Sequence, residues 1–308
     1  MRTTLPAVLL LLLACSAPVT SQNPSRTTSP VSAATPSRAH VPSPLASPTT
    51  NQVTAINCRL PIGIDSGASG FLRIPGGSFE EANGPRASIP EIGGYYAQTY
   101  DWAYSKWLPI GGEAISPDGS RYVYQGNDRV LESVDVVSGT VTPIPASAGW
   151  NLIGVANDGV YAHTFLGRKG LWFLRFAGGN PIQLSDAGYS YLSVFGGYAY
   201  ASTSATDETI LRVDLRDGSA VKFADPPASI IGHDLSGVPV VRLDHSLVLM
   251  PAPYQQVVVL PDRVPVGLAV GDHNGIWLYL SDGTYLRRPD GQLVHVSDIA
   301  GTIDGTCR

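Results

Sequence analysis

Short runs of apolar residues, bounded by turn residues, recur along the chain from about residue 107 onward. Five of them are rich in β-branched and aromatic side chains: 121–124, 134–137, 171–174, 210–215 and 276–279. Such runs predict β-strands. The 33 glycines and 25 prolines of the 308 residues favour many short strands and tight turns, and they exclude a helical bundle.

The turn signals between these runs repeat at a fixed interval. One series of turns ends at Gly119, Gly159, Gly197, Gly237 and Gly275, with spacings of 40, 38, 40 and 38 residues. A second series, offset by about half a period, ends at Gly139, Gly179, Gly218 and Gly291, with spacings of 40, 39 and 73 residues. The long gap spans two repeats, and its missing member falls near Tyr254, where no glycine is present. The chain therefore has an internal period of about forty residues.

Four short strands in forty residues describe one blade of a β-propeller, whereas a solenoid repeats at a shorter period and a sandwich does not repeat. Five repeats fill residues 107–300, and residues 58–106 are about one further blade, with strands near 58–64, 71–74 and 96–104. The sequence predicts an all-β fold, a single propeller of six four-stranded blades. Five blades with an N-terminal cap is the alternative.

One copy of the repeat carries a recognisable motif. The segment 114–124 contains Ser116-Pro117-Asp118-Gly119, and 134–139 follows it with Asp135 four residues before Gly139. This pattern resembles the repeat of WD40-like, TolB-type β-propellers, in which a Ser-Pro-Asp-Gly turn joins the first two strands of a blade. The resemblance implies the architecture over residues 107–300 and no particular function.

The N-terminus predicts export and a lipid anchor. Residues 1–15 contain one basic residue, an apolar stretch and Ala14 before Cys15, which is typical of a secretory signal and too short to span a bilayer. The residues 12–15, Leu-Leu-Ala-Cys, resemble the lipobox of bacterial lipoproteins, which implies that Cys15 receives a diacylglyceryl group. The expected location is therefore extracytoplasmic, on a lipid anchor in the bacterial cell membrane. The alternative is a plain secretory signal in which Cys15 has no role.

Residues 16–55 are rich in Ser, Thr, Pro and Ala and have no apolar periodicity, so they predict a disordered tether. The propeller domain is then 56–308. After residue 55 the chain has 17 basic and 25 acidic residues, a net charge of −8, which makes nucleic acid an unsuitable partner.

Cys58 and Cys307 stand at the two ends of the predicted domain. In an oxidising compartment an isolated pair of cysteines is expected to be bridged. A propeller must also join its first and last blades to avoid open sheet edges, and these two positions suit such a clasp. A metal or catalytic role is the alternative, but no His or Cys stands nearby at ligand spacing.

The ends of the predicted strands indicate a candidate binding site. Propeller ligands tend to bind at the face formed by the loops that enter the first strand of each blade and the loops between the second and third strands. The repeat places five residues at first-strand entrances and one on a second-to-third loop: Trp107, Trp150, Asn151, Tyr189, Tyr191 and Arg168. Aromatic rings beside polar groups suit a sugar or a peptide, although the favoured interpretation of these rings is that they fill gaps between blades. The aromatic segment 95–107 has the same two interpretations.

No cofactor is expected. Paired His and Asp residues occur in 232–234 and 271–273, but they lie in turns on the opposite face, and polar turns explain them better than a metal does. The favoured function is a non-catalytic binding or scaffold module for a protein, peptide or glycan. The alternative is a glycan-active hydrolase or lyase that uses Glu113 and a loop carboxylate at the propeller mouth. A structural envelope protein without a ligand is a third possibility.

Overall fold

The computed structural model describes residues 56–64, 68–82, 98–164, 169–203, 209–244, 246–260 and 267–308. The expected signal segment with Cys15, the tether 16–55, and Arg168 lie outside the described residues. Ser47–Arg308 is one compact unit. Among the described residues, no helix has the length and apolar character needed to cross a membrane.

The described chain is all-β, with one short 3₁₀ helix, Gly112–Ala114. The strands in chain order are β1 Cys58–Ile64, β2 Ser69–Ile74, β3 Ser78–Glu81, β4 Thr99–Asp101, β5 Lys106–Leu108, β6 Arg121–Gln125, β7 Leu131–Asp135, β8 Val141–Pro143, β9 Asn151–Val155, β10 Gly159–His163, β11 Leu171–Arg175, β12 Ile182–Ser185, β13 Ser190–Phe195, β14 Tyr198–Ser202, β15 Ile210–Asp214, β16 Ala220–Ala224, β17 Ala228–His233, β18 Pro239–Leu243, β19 Ser246–Ala252, β20 Gln255–Leu260, β21 Ala269–Asp272, β22 Gly275–Leu280, β23 Gly283–Arg287, β24 Leu293–Ser297 and β25 Gly301–Ile303.

The strands form antiparallel meanders. Sheet 1 has the order β25-β1-β2-β3, sheet 2 contains β6 to β8, sheet 3 contains β9 to β12, and sheet 4 contains β13 to β16. The remaining eight-stranded sheet consists of two meanders, β17 to β20 (sheet 5) and β21 to β24 (sheet 6). They are joined where the two first strands pair in parallel, Gly232 with Ala269 and His233 with Val270.

Apolar clusters fill the spaces between consecutive sheets. Separate buried clusters lie between sheets 2 and 3, 3 and 4, 4 and 5, and 5 and 6. A further cluster joins sheet 6 to sheet 1 through Trp277, Leu286, Leu60 and Leu72. Between sheets 1 and 2 lies the hairpin of β4 and β5. Meander sheets that pack face to face and return to the first sheet are the architecture of a β-propeller.

The first and last of the described strands meet in sheet 1, and the predicted disulfide is confirmed. Cys58 and Cys307 are bridged, with 5.6 Å between their Cα atoms. The C-terminal strand β25 pairs with β1, and the amide of Arg59 donates to the carbonyl oxygen of Arg308 at 2.8 Å. The clasp therefore combines strand pairing with a covalent bond.

Residues 58–106 do not make a complete blade, so that part of the prediction was wrong. Sheet 1 contains three strands from this segment and takes its inner strand, β25, from the other end of the chain. The strand expected at 96–104 is instead the short β4, which pairs only with β5. The aromatic side chains of this hairpin pack against Phe71 of sheet 1, so the hairpin covers sheet 1 instead of extending it.

The forty-residue period corresponds to two kinds of turn. In sheets 3 to 6, the glycines of the first series lie in the turn between the first and second strands or at the first residue of the second strand, and those of the second series lie in the turns between the third and fourth strands. In the three-stranded sheet 2, Gly119 lies between the bridge at Ile115 and β6, and Gly139 lies between β7 and β8. All four glycines of the second series have positive φ, between 69° and 106°. In sheet 5, where the glycine is missing, Tyr254 adopts the same conformation with a φ of 61°.

A β-bulge recurs in sheets 3 to 6 and was not predicted. In each, the fourth strand has one residue that is skipped in the pairing with the third: Leu184, Phe223, Val259 and Val296. At three junctions the next sheet's turn approaches the carbonyl oxygen of such a residue: Gly218 lies against Leu184, the amide of Tyr254 donates to Phe223 at 3.1 Å, and Gly77 lies against Val296. In sheets 3, 4 and 6 the bulge therefore brings the outer strand into contact with the neighbouring sheet.

Candidate functional site

The structure brings together four of the nominated residues at the ends of sheets 3 and 4. We call the following group the entrance cluster: Trp150, Asn151, His163, Trp172, Tyr189 and Tyr191. Asn151 and Ser190 are the first residues of β9 and β13, so Trp150 and Tyr189 lie directly before two first strands, as the repeat predicts. Trp172 lies near the start of β11, and His163 is the last residue of β10.

Two tryptophans form one end of the entrance cluster. The rings of Trp150 and Trp172 pack edge to face with 5.7 Å between their centroids. Trp150 is only 4% exposed and belongs to the core between sheets 2 and 3. Trp172 is half-buried, and its Nε1 donates to the carbonyl oxygen of Lys169 at 3.0 Å. Trp150 therefore acts as a fixed wall, as the gap-filling interpretation of the aromatic residues expects.

His163 and Tyr191 form the buried middle of the cluster. Their ring centroids are 6.3 Å apart, and His163 pairs with Asn151 across β9 and β10. Burial lowers the pKa of His163, so its imidazole is neutral at neutral pH. Burial also raises the pKa of Tyr191, whose hydroxyl donates to the carbonyl oxygen of Ala187 at 3.1 Å. This part of the cluster is neutral and rigid.

The accessible part of the cluster is polar and aromatic. Tyr189, whose ring lies 6.2 Å from that of Tyr191, and Asn151 are half-buried. Lys169 and Asp186 are exposed, and the aliphatic part of Lys169 lies against the backbone of Gly188. A half-exposed ring with an amide and an ammonium group nearby can stack on a ligand and hydrogen-bond its oxygen atoms.

Trp107 does not stand at a first-strand entrance, which corrects its predicted position. It lies on β5, where its ring packs against Phe71 and Tyr100 with centroid distances of 5.7 and 5.2 Å. Trp102 completes this group, and its Nε1 donates to the carbonyl oxygen of Thr306 at 2.7 Å. Because the rings contact one another, the group packs the hairpin onto sheet 1.

Sequence reasoning missed His163 and Trp172. The signal was available for both, since His163 ends the second strand of its sheet and Trp172 lies near the start of the third. The predicted ligand face is formed by these strand ends and the loop between them. The role of the entrance cluster in binding stays a prediction, as does that of Arg168.

The aspartates of the two His and Asp pairs form hydrogen bonds within the protein. Asp234 accepts the amides of Ser236 and Val238 at 2.9 and 2.8 Å. Asp272 is buried, and its Oδ2 accepts Trp277 Nε1 at 2.7 Å and the amide of Cys307 at 2.8 Å. Within the described ranges, no group of three or more His, Cys, Asp or Glu side chains is arranged to hold a metal ion.

Glu113, the residue named for the enzymatic alternative, lies in the 3₁₀ helix before Ile115, which forms a bridge to Tyr122 of sheet 2. The segment from Glu113 to Ile115 therefore stands where sheets 3 to 6 have their first strand. Glu113 is exposed, and its carboxylate lies over Gly111.

No protein-family model matches the chain, and no curated protein matches it. Several solved structures are similar. TolB from Acinetobacter baumannii is 11% identical with a TM-score of 0.42, over 83% of this chain and 66% of that one. A chain of a nidogen/laminin complex is 11% identical with a TM-score of 0.45, over 78% and 93%. An oligogalacturonate lyase in complex with manganese is 12% identical with a TM-score of 0.45, over 59% and 63%, so the match spans less than two thirds of the lyase.

Proposed function

We propose that the protein is a six-bladed propeller that binds a protein, peptide or glycan at the entrance cluster without transforming it. Sheets 1 to 6 correspond to the six blades. The number is supported by the apolar cluster between sheets 6 and 1, which closes the series, and by β25, which completes sheet 1 as a four-stranded blade. A separate N-terminal cap would not share a strand with the C-terminus.

The proposed location is the extracytoplasmic side of a bacterial membrane, with a diacylglyceryl group on Cys15 and residues 16–55 as a tether. The Cys58–Cys307 disulfide agrees with this location, because structural disulfides persist in oxidising compartments. Cys15→Ser should release the protein from membranes or leave it unprocessed. A mature protein that begins downstream of Cys15 and remains in the soluble fraction would contradict the anchor.

The binding proposal is supported by a difference in side-chain exposure within the entrance cluster. Trp150 and Tyr191 are each 4% exposed and fixed by core contacts, whereas Tyr189 and Asn151 remain partly accessible beside exposed Lys169. A rigid base under a few accessible ring and polar groups is a preorganised site, which lowers the entropic cost of binding.

The test is a screen of the purified full chain against immobilised glycans and peptides, followed by calorimetry on each ligand found. Tyr189→Ala and Asn151→Ala should each weaken binding at least tenfold, while Tyr189→Phe should retain most of the affinity because the ring is kept. Leu235→Ala is the control, since Leu235 is 69% exposed in a turn at the other end of the strands. Unchanged affinity in both alanine variants would exclude this site.

The enzymatic alternative rests on Glu113, an exposed carboxylate at a first-strand position. Incubation with polysaccharides and analysis of the products by mass spectrometry tests it directly. Turnover that is lost in Glu113→Gln, with the fold intact by circular dichroism, would replace the binding proposal by a glycan-active enzyme.

A further inference from the structure

Two consecutive sheets repeat one arrangement at the entrance cluster. The loop between the second and third strands of sheet 2 contacts the entrance of sheet 3, where the amide of the glycine before Trp150 donates to the carbonyl oxygen of Arg129 at 3.0 Å. The corresponding loop of sheet 3 contacts the entrance of sheet 4, where the aliphatic part of Lys169 lies against the glycine before Tyr189. Each contact places a basic residue beside an aromatic entrance residue.

The other entrances in the described part of the chain lack this arrangement. The residues directly before the first strands of sheets 5, 6 and 1, and before the 3₁₀ helix of sheet 2, are not aromatic: Pro227, Leu268, Ala300 and Gly111. The loops between the second and third strands of sheets 5 and 6 contain Asp244 and Asp282 and no lysine or arginine. Among the described entrances, the combination is therefore specific to sheets 3 and 4.

Acidic groups accompany both basic residues. Asp128 directly precedes Arg129 and is exposed, and the half-buried Glu132 lies against the first residue of the same loop. Asp186 is exposed, and its backbone lies against the glycine that follows Lys169. Within the described ranges, neither basic side chain forms an ion pair with these carboxylates. Charges of both signs are therefore accessible to a ligand at each entrance.

This mixture of charges favours an uncharged ligand with hydroxyl groups. A carboxylate or phosphate group beside Arg129 or Lys169 would also meet a like charge on the neighbouring acid. A hydroxyl group accepts a hydrogen bond from a guanidinium or ammonium group and donates one to a carboxylate, so it satisfies both. The ring of Tyr189 can stack on the apolar face of a sugar, and the amide of Asn151 can donate and accept.

The backbones of both basic residues are held in place. The carbonyl oxygen of Lys169 accepts Trp172 Nε1 at 3.0 Å and Gln183 Nε2 at 3.3 Å. Arg129 has a φ of 61°, and its amide donates to the carbonyl oxygen of Gly126 at 2.9 Å. The left-handed conformation suits glycine better than arginine. A ligand contact of the guanidinium group would give the arginine at this position a role.

We propose that the entrance cluster binds an uncharged glycan that spans the entrances of sheets 3 and 4, with one sugar unit at each. This inference rests on the binding function proposed above and names the class of ligand. Each entrance supplies a basic and an acidic group for the hydroxyl groups of one sugar, and Asn151 lies between them at the start of β9. The two groups of subsite residues are Arg129, Asp128 and Trp150 at sheet 3, and Lys169, Asp186 and Tyr189 at sheet 4.

Titration calorimetry tests the ligand class on the full chain, made as Cys15→Ser so that it carries no lipid. The probes are uncharged hexasaccharides of glucose, mannose and xylose, their monosaccharides, and hexagalacturonate. At least one uncharged hexasaccharide should bind with a dissociation constant below about 1 mM. Its monosaccharide should bind at least tenfold more weakly, because it cannot occupy both subsites. Raising NaCl from about 50 to about 500 mM should change the constant less than twofold, because no ion pair joins the ligand to the protein.

Arg129→Gly separates binding from folding. The variant should weaken the uncharged hexasaccharide at least tenfold, while the thermal unfolding midpoint stays equal or rises because glycine suits the left-handed conformation. Lys169→Ala should weaken binding similarly. Arg175→Ala is the matched control, because Arg175 is exposed at the other end of β11, and it should leave the affinity unchanged. Asp186→Asn should raise the affinity for hexagalacturonate at least tenfold, because it removes a like charge.

The outcomes distinguish the ligand class from the site. The absence of binding by every uncharged hexasaccharide overturns this inference, as does tighter binding of hexagalacturonate or of an acidic peptide. If Tyr189→Ala abolishes the binding of such a charged ligand, the proposed binding site stands without the uncharged glycan. Binding of an uncharged hexasaccharide that neither Arg129→Gly nor Tyr189→Ala weakens overturns the site itself, and with it the proposed function.

Discussion

Asp304 provides the sharpest test of the pairing that closes the fold, because its half-buried carboxyl group lies where β25 meets β1. The residue directly follows β25, its amide donates to the carbonyl oxygen of Pro61 at 3.0 Å, and its own carbonyl oxygen accepts the amide of Tyr100 at 2.7 Å. The carboxylate lies against Gly63. Burial raises the pKa of Asp304 from 3.8 to about 7, an effect that the Thr302 hydroxyl opposes only in part. The charged form is therefore unfavourable in the folded state.

The sign of the effect on stability follows from proton binding. Between pH 4 and 7 the folded protein holds the proton while the unfolded chain has released it, so the free energy of unfolding falls as the pH rises through this range. A pKa difference of about three corresponds to about 4 kcal/mol, reached once the pH exceeds 7. Asp304→Asn keeps the shape without the charge. At pH 8 this variant should be up to about 4 kcal/mol more stable than the wild type, and at pH 4 the two should be equal.

Urea unfolding followed by tryptophan fluorescence at pH 4.5, 6, 7 and 8 measures this difference. Asp158→Asn is the control, because Asp158 is exposed and should change stability little at any pH. A stability difference between Asp304→Asn and the wild type that stays constant from pH 4.5 to 8 would refute the reasoning, since it would show that the carboxyl group does not titrate between those values.

Three further predictions concern the same framework. Asp272→Ala should cost about 3–5 kcal/mol in urea unfolding, because it leaves buried N–H donors of Trp277 and Cys307 unpaired; a loss below about 1 kcal/mol would contradict that role. The double variant Cys58→Ser with Cys307→Ser should keep its far-ultraviolet circular dichroism but lose up to about 5 kcal/mol, because the bond closes a loop of 249 residues; a collapse of the spectrum would show that the strands need the bond. Gly119→Ala should lower the thermal midpoint by more than Gly139→Ala does, since both glycines have positive φ but only Gly119 lies against a side chain, that of Asp101; equal losses would exclude the contact.

The local features of the fold could be read from the sequence, and the long-range ones could not. The turn glycines and the β-branched runs determine backbone conformation over a few residues, so the period and most strands could be predicted from them. The position of the missing glycine, which Tyr254 occupies, was predicted in the same way. The addition of β25 to sheet 1 depends on pairing across the whole chain, for which a three-residue strand carries no local signal. The bulges were missed because skipped residues such as Phe223 are ordinary apolar residues in the pattern.

In the candidate site, too, features that depend on the local repeat were predicted, and features that depend on neighbouring sheets were not. Trp150, Asn151, Tyr189 and Tyr191 were found because the repeat fixes where first strands begin. Trp107 was misplaced because the hairpin of β4 and β5 interrupts the repeat before sheet 2. Whether a ring faces solvent or the core depends on the neighbouring sheet, so burial of Trp150 could not be derived from spacing alone.

The pairing of β25 with β1 has a consequence for biosynthesis. Sheet 1 contains the first strands to be made, but its inner strand, Gly301–Ile303, is made last. Until then, the edge of β1 is unpaired and the apolar side chains of Leu60 and Leu72 lack part of their packing partners. A ribosome or a translocation channel that delivers the chain from its N-terminus thus releases a first sheet that stays incomplete until β25 has emerged. Contacts of such long sequence separation also slow folding, so sheet 1 is expected to be among the late parts of the fold to form.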